Sequence, residues 1–288
     1  MNIFSGFDGM SCGQIAANGA DLQVDEYFAS EIDVPAITVC LDNFPNTKQV
    51  GSITELSADK LGWIDMIIGG SPCQDISNLN KFKEGLEGEK SSLFYHFYRM
   101  WQEIKAINPE VYFLLENVAG NKKALTQITK LMGVRPLKLN ANMVSAQNRN
   151  RLFWTNIPVN SLPVKKHYRL TDILEPNVDE KYFIKDGRLK WLLGESGQGS
   201  LNKRFSGLDP IKAGCLTKRG EKSWNCNYVT DNGRIRTLTP IEYERLQCVP
   251  DNYTAAVPDA NRYEMLGNGW NVDIIKHIFK HLPQKFKK

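Results

Sequence analysis

Four short apolar, β-rich runs separated by stretches of helical spacing fill the first half of this chain. That alternation restricts the fold to an α/β class built on an open, mostly parallel, Rossmann-like sheet with helical connections. Strands are expected over residues 1–7, 24–30, 65–69 and 111–115, and helices over 12–18 and 93–107. Sheets of this kind bind ligands in the crevice beyond the carboxyl ends of their strands. The informative residues of the first half all stand at such ends.

From about Pro158 the sequence turns irregular, basic and glycine-punctuated, with Lys165, Lys166, Arg188, Lys190, Lys203, Arg204, Lys218 and Arg219. It reads as a small loop-rich domain over 158–233, set into a main domain made of 1–157 and 234–288. Thr239, Pro240 and Glu242 then start a helix well, as N-cap, first helical residue and first-turn acid. A final amphipathic segment, 272–279, is expected to pack back on the sheet. At 288 residues the chain can bury one large core and still form a smaller lobe.

Six cysteines are scattered without a Cys-x-x-Cys pair or neighbouring histidines, so neither a zinc site nor a disulfide framework is indicated and no metal is expected. Free thiols suit a reducing compartment. No apolar run approaches the length of a membrane span, and the amino terminus lacks a signal-peptide pattern, so a cytoplasmic monomer without membrane contact is expected. A net charge of +4 permits nucleic-acid binding without arguing for it.

Phe7-Asp8-Gly9-Met10-Ser11-Cys12-Gly13 forms a glycine-bearing turn between the first strand and helix, where a ligand can approach the backbone and free N–H groups. Glu31, at the end of the second strand, can accept both hydroxyls of a ribose. Turn and acid together suggest a nucleoside-containing cofactor. Cys73, in Ser71-Pro72-Cys73-Gln74, leaves the third strand as a candidate nucleophile. Glu116, in Glu116-Asn117-Val118, leaves the fourth, and desolvation there is expected to help it hold a proton. Gln147, Arg149 and Arg151 precede a strand-like run, 152–157; in extended chain they share one face, which would point two guanidiniums toward an anionic or carbonyl-bearing substrate.

These residues, with Arg236-x-Leu238-Thr239-Pro240-x-Glu242-x-x-Arg245-Leu246-Gln247 and Gly267-Asn268-Gly269, occur in the order and spacing of the cytosine-5 DNA methyltransferases, which the chain resembles over nearly its whole length except the basic lobe. Its wording is similar to compact phage and bacterial members, and also to the de novo class of animal enzymes. The resemblance implies a methyltransferase sheet, S-adenosylmethionine as cofactor and a target-recognition domain over 158–233. It makes Cys73 the nucleophile for cytosine C6, puts Glu116 on N3 and Arg151 on O2, and gives Arg149 the support of the cysteine and its loop.

For the cofactor the resemblance carries over to Phe7, Gly9, Met10, Glu31, Ile32, Ser52, Ile53, Pro72, Leu93, Asn268 and Trp270. For double-stranded DNA, entered by base flipping, it points to Gln74, to Lys81 and Lys83 in a mobile loop over 75–92, and to Lys203, Arg204, Lys218 and Arg219 in the basic lobe. Three positions depart from the pattern. Ser52 stands where most members carry an aspartate, Ser11 where many carry glycine, and Gly269-Trp270 replaces a small polar pair. Two alternatives stay open at this level. One is a tRNA cytosine methyltransferase, whose branch carries a Cys-Phe-Thr element not found here, and the other is a catalytically weak DNA-binding paralogue. The recognised DNA sequence and any companion restriction enzyme are not readable from the chain.

Overall fold

A computed structural model describes residues 1–71, 93–192, 208–218 and 227–288. The chain divides into two compact units: Met1–Asn140 with Asn150–Leu162 and Ile274–Lys288, and Ala141–Arg149 with Pro163–Asp273. The stretch 234–273, which the sequence division assigned to the main domain, packs within the second unit.

The first unit is built on a seven-stranded sheet. Its strands are β1 (Asn2–Gly6), β2 (Glu26–Ser30), β3 (Lys48–Gln49), β4 (Met66–Gly70), β5 (Tyr112–Val118), β6 (Leu137–Asn140) and β7 (Asn150–Thr155), in the order β3-β2-β1-β4-β5-β7-β6. β1 pairs in parallel with β2 and β4, and β4 with β5, whereas β7 runs antiparallel to both β5 and β6. β1 leads to β2 and β3 on one side, and the chain then returns from β3 to β4 on the other side of β1, so the switch point lies between the carboxyl ends of β1 and β4.

The strand interiors are apolar on both faces, as a sheet covered on both sides requires. Phe4, Ile67, Phe113 and Leu115 belong to one core cluster with Phe94, Phe97, Met100 and Ile104. Those four come from α3 (Leu93–Ile107), where the three- and four-residue spacing of large apolar side chains makes one buried stripe. Ile3, Ile68 and Leu114, which alternate with the first set, are fully buried as well. Gly69 is required by this packing: a Cβ there would lie 2.8 Å from the Gly6 carbonyl oxygen and 2.8 Å from the Phe97 ring.

β5 continues through Glu116, Asn117 and Val118, past the apolar run that ended the sequence expectation at 115. The extension exists because β7 pairs with it, Glu116 opposite Phe153 and Val118 opposite Arg151. The strand-like segment expected at 152–157 in turn begins two residues earlier, at Asn150.

In the second unit, β8 (Tyr228–Asp231) and β9 (Arg234–Thr237) form a hairpin that leads into α6 (Pro240–Leu246). α6 starts as its sequence predicts, Thr239 and Glu242 forming a reciprocal capping box with Pro240 in the first turn. α7 (Asp259–Asn268) follows.

Candidate active site

Three chain ends of the first unit converge on chemistry that the sequence anticipated in part. After β1, Phe7, Gly9 and Ser11 all adopt left-handed φ values, 59°, 59° and 66°. The Gly9 N–H donates to Glu31 Oε2 at 2.7 Å, while Glu31 Oε1 accepts from the N–H groups of Ile32 and Asp33 at 2.8 and 3.0 Å. Three backbone donors thus fix one carboxylate beside a glycine turn. Met10 is buried, and Ile32 presents a side chain 73% exposed. An aligned carboxylate next to an open apolar side chain fits a ribose and an adenine ring, which meets the needs of the nucleoside half of S-adenosylmethionine.

The Ser52 hydroxyl lies 2.8 Å from Thr54 Oγ1 and accepts from the Thr54 N–H at 3.3 Å, so it closes its own small turn. Ile53 is buried in the α3 core cluster, and Leu93 is the first residue of α3. Asn268 ends α7 in the second unit, with Trp270 just beyond it.

On the other side of the switch point, Glu116 and Arg151 are an ion pair. Arg151 Nε donates to Glu116 Oε1 at 2.8 Å, with side-chain exposures of 16% and 11%. The sequence expectation rested on desolvation alone and had no such partner in it. The antiparallel register supplies one, because Arg151 lies opposite Val118, a diagonal two positions from Glu116 that cannot be matched before strand direction is known. Gly70, three residues before Cys73 in sequence, is the register partner of Glu116. Asn117 Nδ2 donates to Ser71 Oγ at 3.1 Å, tying the end of β5 to the first residue of the nucleophile motif, the one member of it that is described.

Arg149 departs from the expected shared face. It precedes β7, belongs to the second unit and is 3% exposed. Its Nη1 donates to the Leu216 carbonyl at 3.2 Å, and its Nη2 to the carbonyls of Gly267 and Gly269 at 3.2 and 2.7 Å. The guanidinium therefore clamps backbone carbonyls around the 267–269 turn, while Arg151 turns to a carboxylate. Gly267 itself could carry no side chain, since a Cβ there would lie 2.2 Å from the Thr217 carbonyl carbon. Gln147 supports the same region, donating to Leu246 O at 3.2 Å and accepting from the Leu216 N–H at 3.1 Å. Arg149→Lys is expected to lower stability by about 1–3 kcal/mol, because an ammonium cannot reach carbonyls in this fork geometry and leaves buried acceptors unpaired. Urea denaturation measures this directly, and an unchanged midpoint would refute the clamp.

Pro72, Cys73, Gln74, Lys81, Lys83 and the 75–92 loop lie outside the described residues, as do Lys203, Arg204 and Arg219. Lys218 is described and exposed. Among the described residues no group of three His, Cys, Asp or Glu side chains could hold a metal ion, and no helix is long and apolar enough to cross a membrane. Two features had no role assigned from sequence. One is the Asp8 carboxylate within the glycine turn, and the other is the buried Arg236–Glu242 pair of the second unit. Asp8 was visible as a charged residue inside a tight turn, but its partners come from distant segments.

Comparison with known proteins gives the family and the fold. The chain matches the family described as C-5 cytosine-specific DNA methylase over residues 1–204 and 195–284. It is 28% identical to the type II methyltransferase M1.ScrFI of Lactococcus lactis subsp. cremoris, across 100% of this chain and 78% of that protein. It is 26% identical to the type II methyltransferase M.DsaV of Dactylococcopsis salina, across 96% of this chain and 84% of that protein. Among solved structures, the fold is similar to the Entamoeba histolytica methyltransferase EhMeth, with a TM-score of 0.80 at 18% identity over 100% of this chain and 99% of that one.

Proposed function

The chain belongs to the C-5 cytosine-specific DNA methylase family and is a DNA cytosine-5-methyltransferase, and from that premise we propose how its residues divide the reaction. C5 of cytosine is a poor nucleophile, and addition at C6 converts the ring to an enamine. Cys73 forms that C6–S bond as its thiolate, and electrons move from the C5–C6 double bond toward N3. Glu116 hydrogen-bonds N3 through a shared proton and stabilises the charge arriving there. Arg151, paired with Glu116, orients that carboxyl and hydrogen-bonds O2 of the cytosine. S-adenosylmethionine, when bound, supplies an electrophilic methyl group to C5. A solvent water then takes the C5 proton, the electrons of that C–H bond re-form the C5–C6 double bond as the C6–S bond breaks, and the thiolate and the aromatic ring are restored.

The cofactor is assigned to the turn after β1, with Phe7, Gly9 and Met10 around it and Glu31 on the ribose. Ile32 lies against the adenine, and Ser52, Ile53, Pro72, Leu93, Asn268 and Trp270 complete the set. Arg149 serves by holding the 267–269 turn that carries Asn268. The substrate is double-stranded DNA with the target base flipped out, gripped by Gln74, Lys81, Lys83, Lys203, Arg204, Lys218 and Arg219 through phosphate and base contacts. Residues 158–233 supply most of that recognition.

The observation that carries this reading is the Glu116–Arg151 ion pair at 2.8 Å, on strands whose register sets Glu116 opposite Gly70. An acid and a guanidinium locked together, beside the strand that leads in sequence to Cys73, suit a planar ring bearing N3 and O2. Incubation with tritiated S-adenosylmethionine and either duplex DNA or tRNA is expected to label DNA at cytosine C5. Bisulfite sequencing of the labelled DNA then gives the target sequence. Label confined to tRNA, or to an exocyclic amino group, would overturn the assignment.

A further inference from the structure

We propose that Asp8 is the positioning residue of the cofactor turn, its carboxylate holding residues 7–11 in the shape that lets the Gly9 N–H align Glu31 toward the cofactor. This rests on reading that turn as the S-adenosylmethionine site, and it adds a residue outside the set assigned above. The turn needs such a device because two non-glycine residues flanking Asp8, Phe7 and Ser11, are left-handed. Side chains in that region persist only where their surroundings over-determine them.

Asp8 provides the determination through three contacts, two to β2 and one to the head of the first helix. The Tyr27 hydroxyl, on β2, donates to Asp8 Oδ1 at 2.7 Å, and the Ser11 hydroxyl, at the head of α1 (Cys12–Gly19), donates to Oδ2 at 2.6 Å. The Asp8 N–H donates to the Ser30 carbonyl at 3.1 Å, one residue before Glu31. Gln14 extends the network, donating to both Ser11 Oγ and Thr47 Oγ1 at 2.8 Å. The left-handed Ser11 is thereby tied to α1 and to the segment before β3, and Asp8, which follows β1, is tied to β2 through both Tyr27 and Ser30.

The protonation state of Asp8 decides how well this works. An ionised carboxylate accepts from both hydroxyls; the neutral acid exchanges an acceptor position for a donor and competes with them. Burial pushes the Asp8 carboxyl up to about 6, with the Ser11, Ser5 and Tyr27 hydroxyls drawing it down and Glu31 adding to the rise. The titratable groups facing it are Tyr27, Glu31 and Cys40, the last on α2 (Val34–Asn43). As pH falls through about 6 the network loses its acceptor, so cofactor affinity should fall on the acid side.

Calorimetric titration of S-adenosylmethionine into the full chain between pH 5 and 7 tests this, in a window between the cofactor's α-carboxyl and α-amino titrations. Wild type is expected to bind about tenfold more weakly at pH 5 than at pH 7, as a group titrating near 6 dictates. Asp8→Asn should be weakened about tenfold at pH 7, roughly the loss of one hydrogen bond, and should show no acid limb. Tyr27→Phe, the variant to rely on if Asp8→Asn folds poorly, should lose about threefold and keep the limb, being a smaller loss of the same kind. In cofactor-free protein, amide exchange at Gly9 should accelerate in both variants.

Asp8→Asn binding like wild type at pH 7, or keeping the acid limb, would overturn the proposal. So would wild-type affinity with unchanged Gly9 exchange in Tyr27→Phe. Wild type that bound no S-adenosylmethionine at any pH would instead remove the cofactor assignment of the turn. The exchange measurement would then decide the positioning role of Asp8 alone, with acceleration supporting it and unchanged exchange refuting it.

Discussion

Cys73→Ser is expected to abolish methyl transfer, by about 10⁴-fold or more, while S-adenosylmethionine still binds within a fewfold of wild type. A loss of that size corresponds to about 5.5 kcal/mol of barrier. The reason is electronic. A thiol is a few per cent thiolate at neutral pH and intrinsically very nucleophilic, whereas a serine hydroxyl needs a general base. Without the C6 adduct, C5 has no electron density to offer a methyl group. Single-turnover transfer to duplex DNA, run beside calorimetry, separates the two effects, and full activity in the serine variant would end the covalent reading.

A chemical experiment sharpens the same point. Cys12 and Cys40 are buried, and burial pushes the Cys248 thiol up to about 12, so these three should resist alkylation at neutral pH. Cys215 is exposed and should react. Inactivation by a small alkylating agent should therefore follow modification of Cys73 and persist unchanged in a variant carrying both Cys215→Ser and Cys226→Ser, which also removes the one other cysteine outside the described residues. S-adenosylmethionine and DNA together should slow it.

Much of the sheet was legible because its central strands are continuous apolar runs, which is what burial on both faces selects. β1, β2, β4 and α3 stand within two residues of where periodicity placed them. β3, of two residues, and β6, reading Leu137-Lys138-Leu139-Asn140, carry no such run and gain their structure from the neighbours they pair with. The site was legible as residue types but not as partnerships. Glu116 and Arg151 were each singled out, yet their ion pair depends on the antiparallel direction of β7, which no local pattern encodes. Arg149 and Arg151, two residues apart, were expected to act together. One went to carbonyls of 216 and 267–269, and the other to a carboxylate, because the chain passes from one unit to the other between them.

Glu242→Gln should destabilise the second unit by about 3–5 kcal/mol, the cost of leaving a buried charge without its partner. Arg236 on β9 is 1% exposed and Glu242 on α6 is fully buried. Arg236 Nη1 and Nη2 donate to Glu242 Oε2 and Oε1 at 2.9 and 2.8 Å, a bidentate pair, and Nε donates to Asp231 at 2.8 Å. Both Glu242 oxygens accept again, from the N–H groups of Thr239 and Glu175 at 2.8 and 2.9 Å. The glutamine amide would replace one acceptor oxygen by an NH2 group facing the two donors that now converge on it, and the guanidinium would keep its charge with one carboxylate partner, Asp231, instead of two. Replacing both residues, as Arg236→Met with Glu242→Leu, removes the buried charges together and should cost clearly less than the sum of the singles, with a coupling of about 2 kcal/mol or more. Urea denaturation of the two singles and the double closes this cycle. Additive losses, or a Glu242→Gln variant within about 1 kcal/mol of wild type, would refute the pair as a folding determinant. The expected result also explains why Arg236-x-Leu238-Thr239-Pro240-x-Glu242 reads as one motif. The arginine, the capping threonine and the glutamate satisfy one another, so the spacing records how the hairpin is joined to the helix rather than a contact with the reacting base.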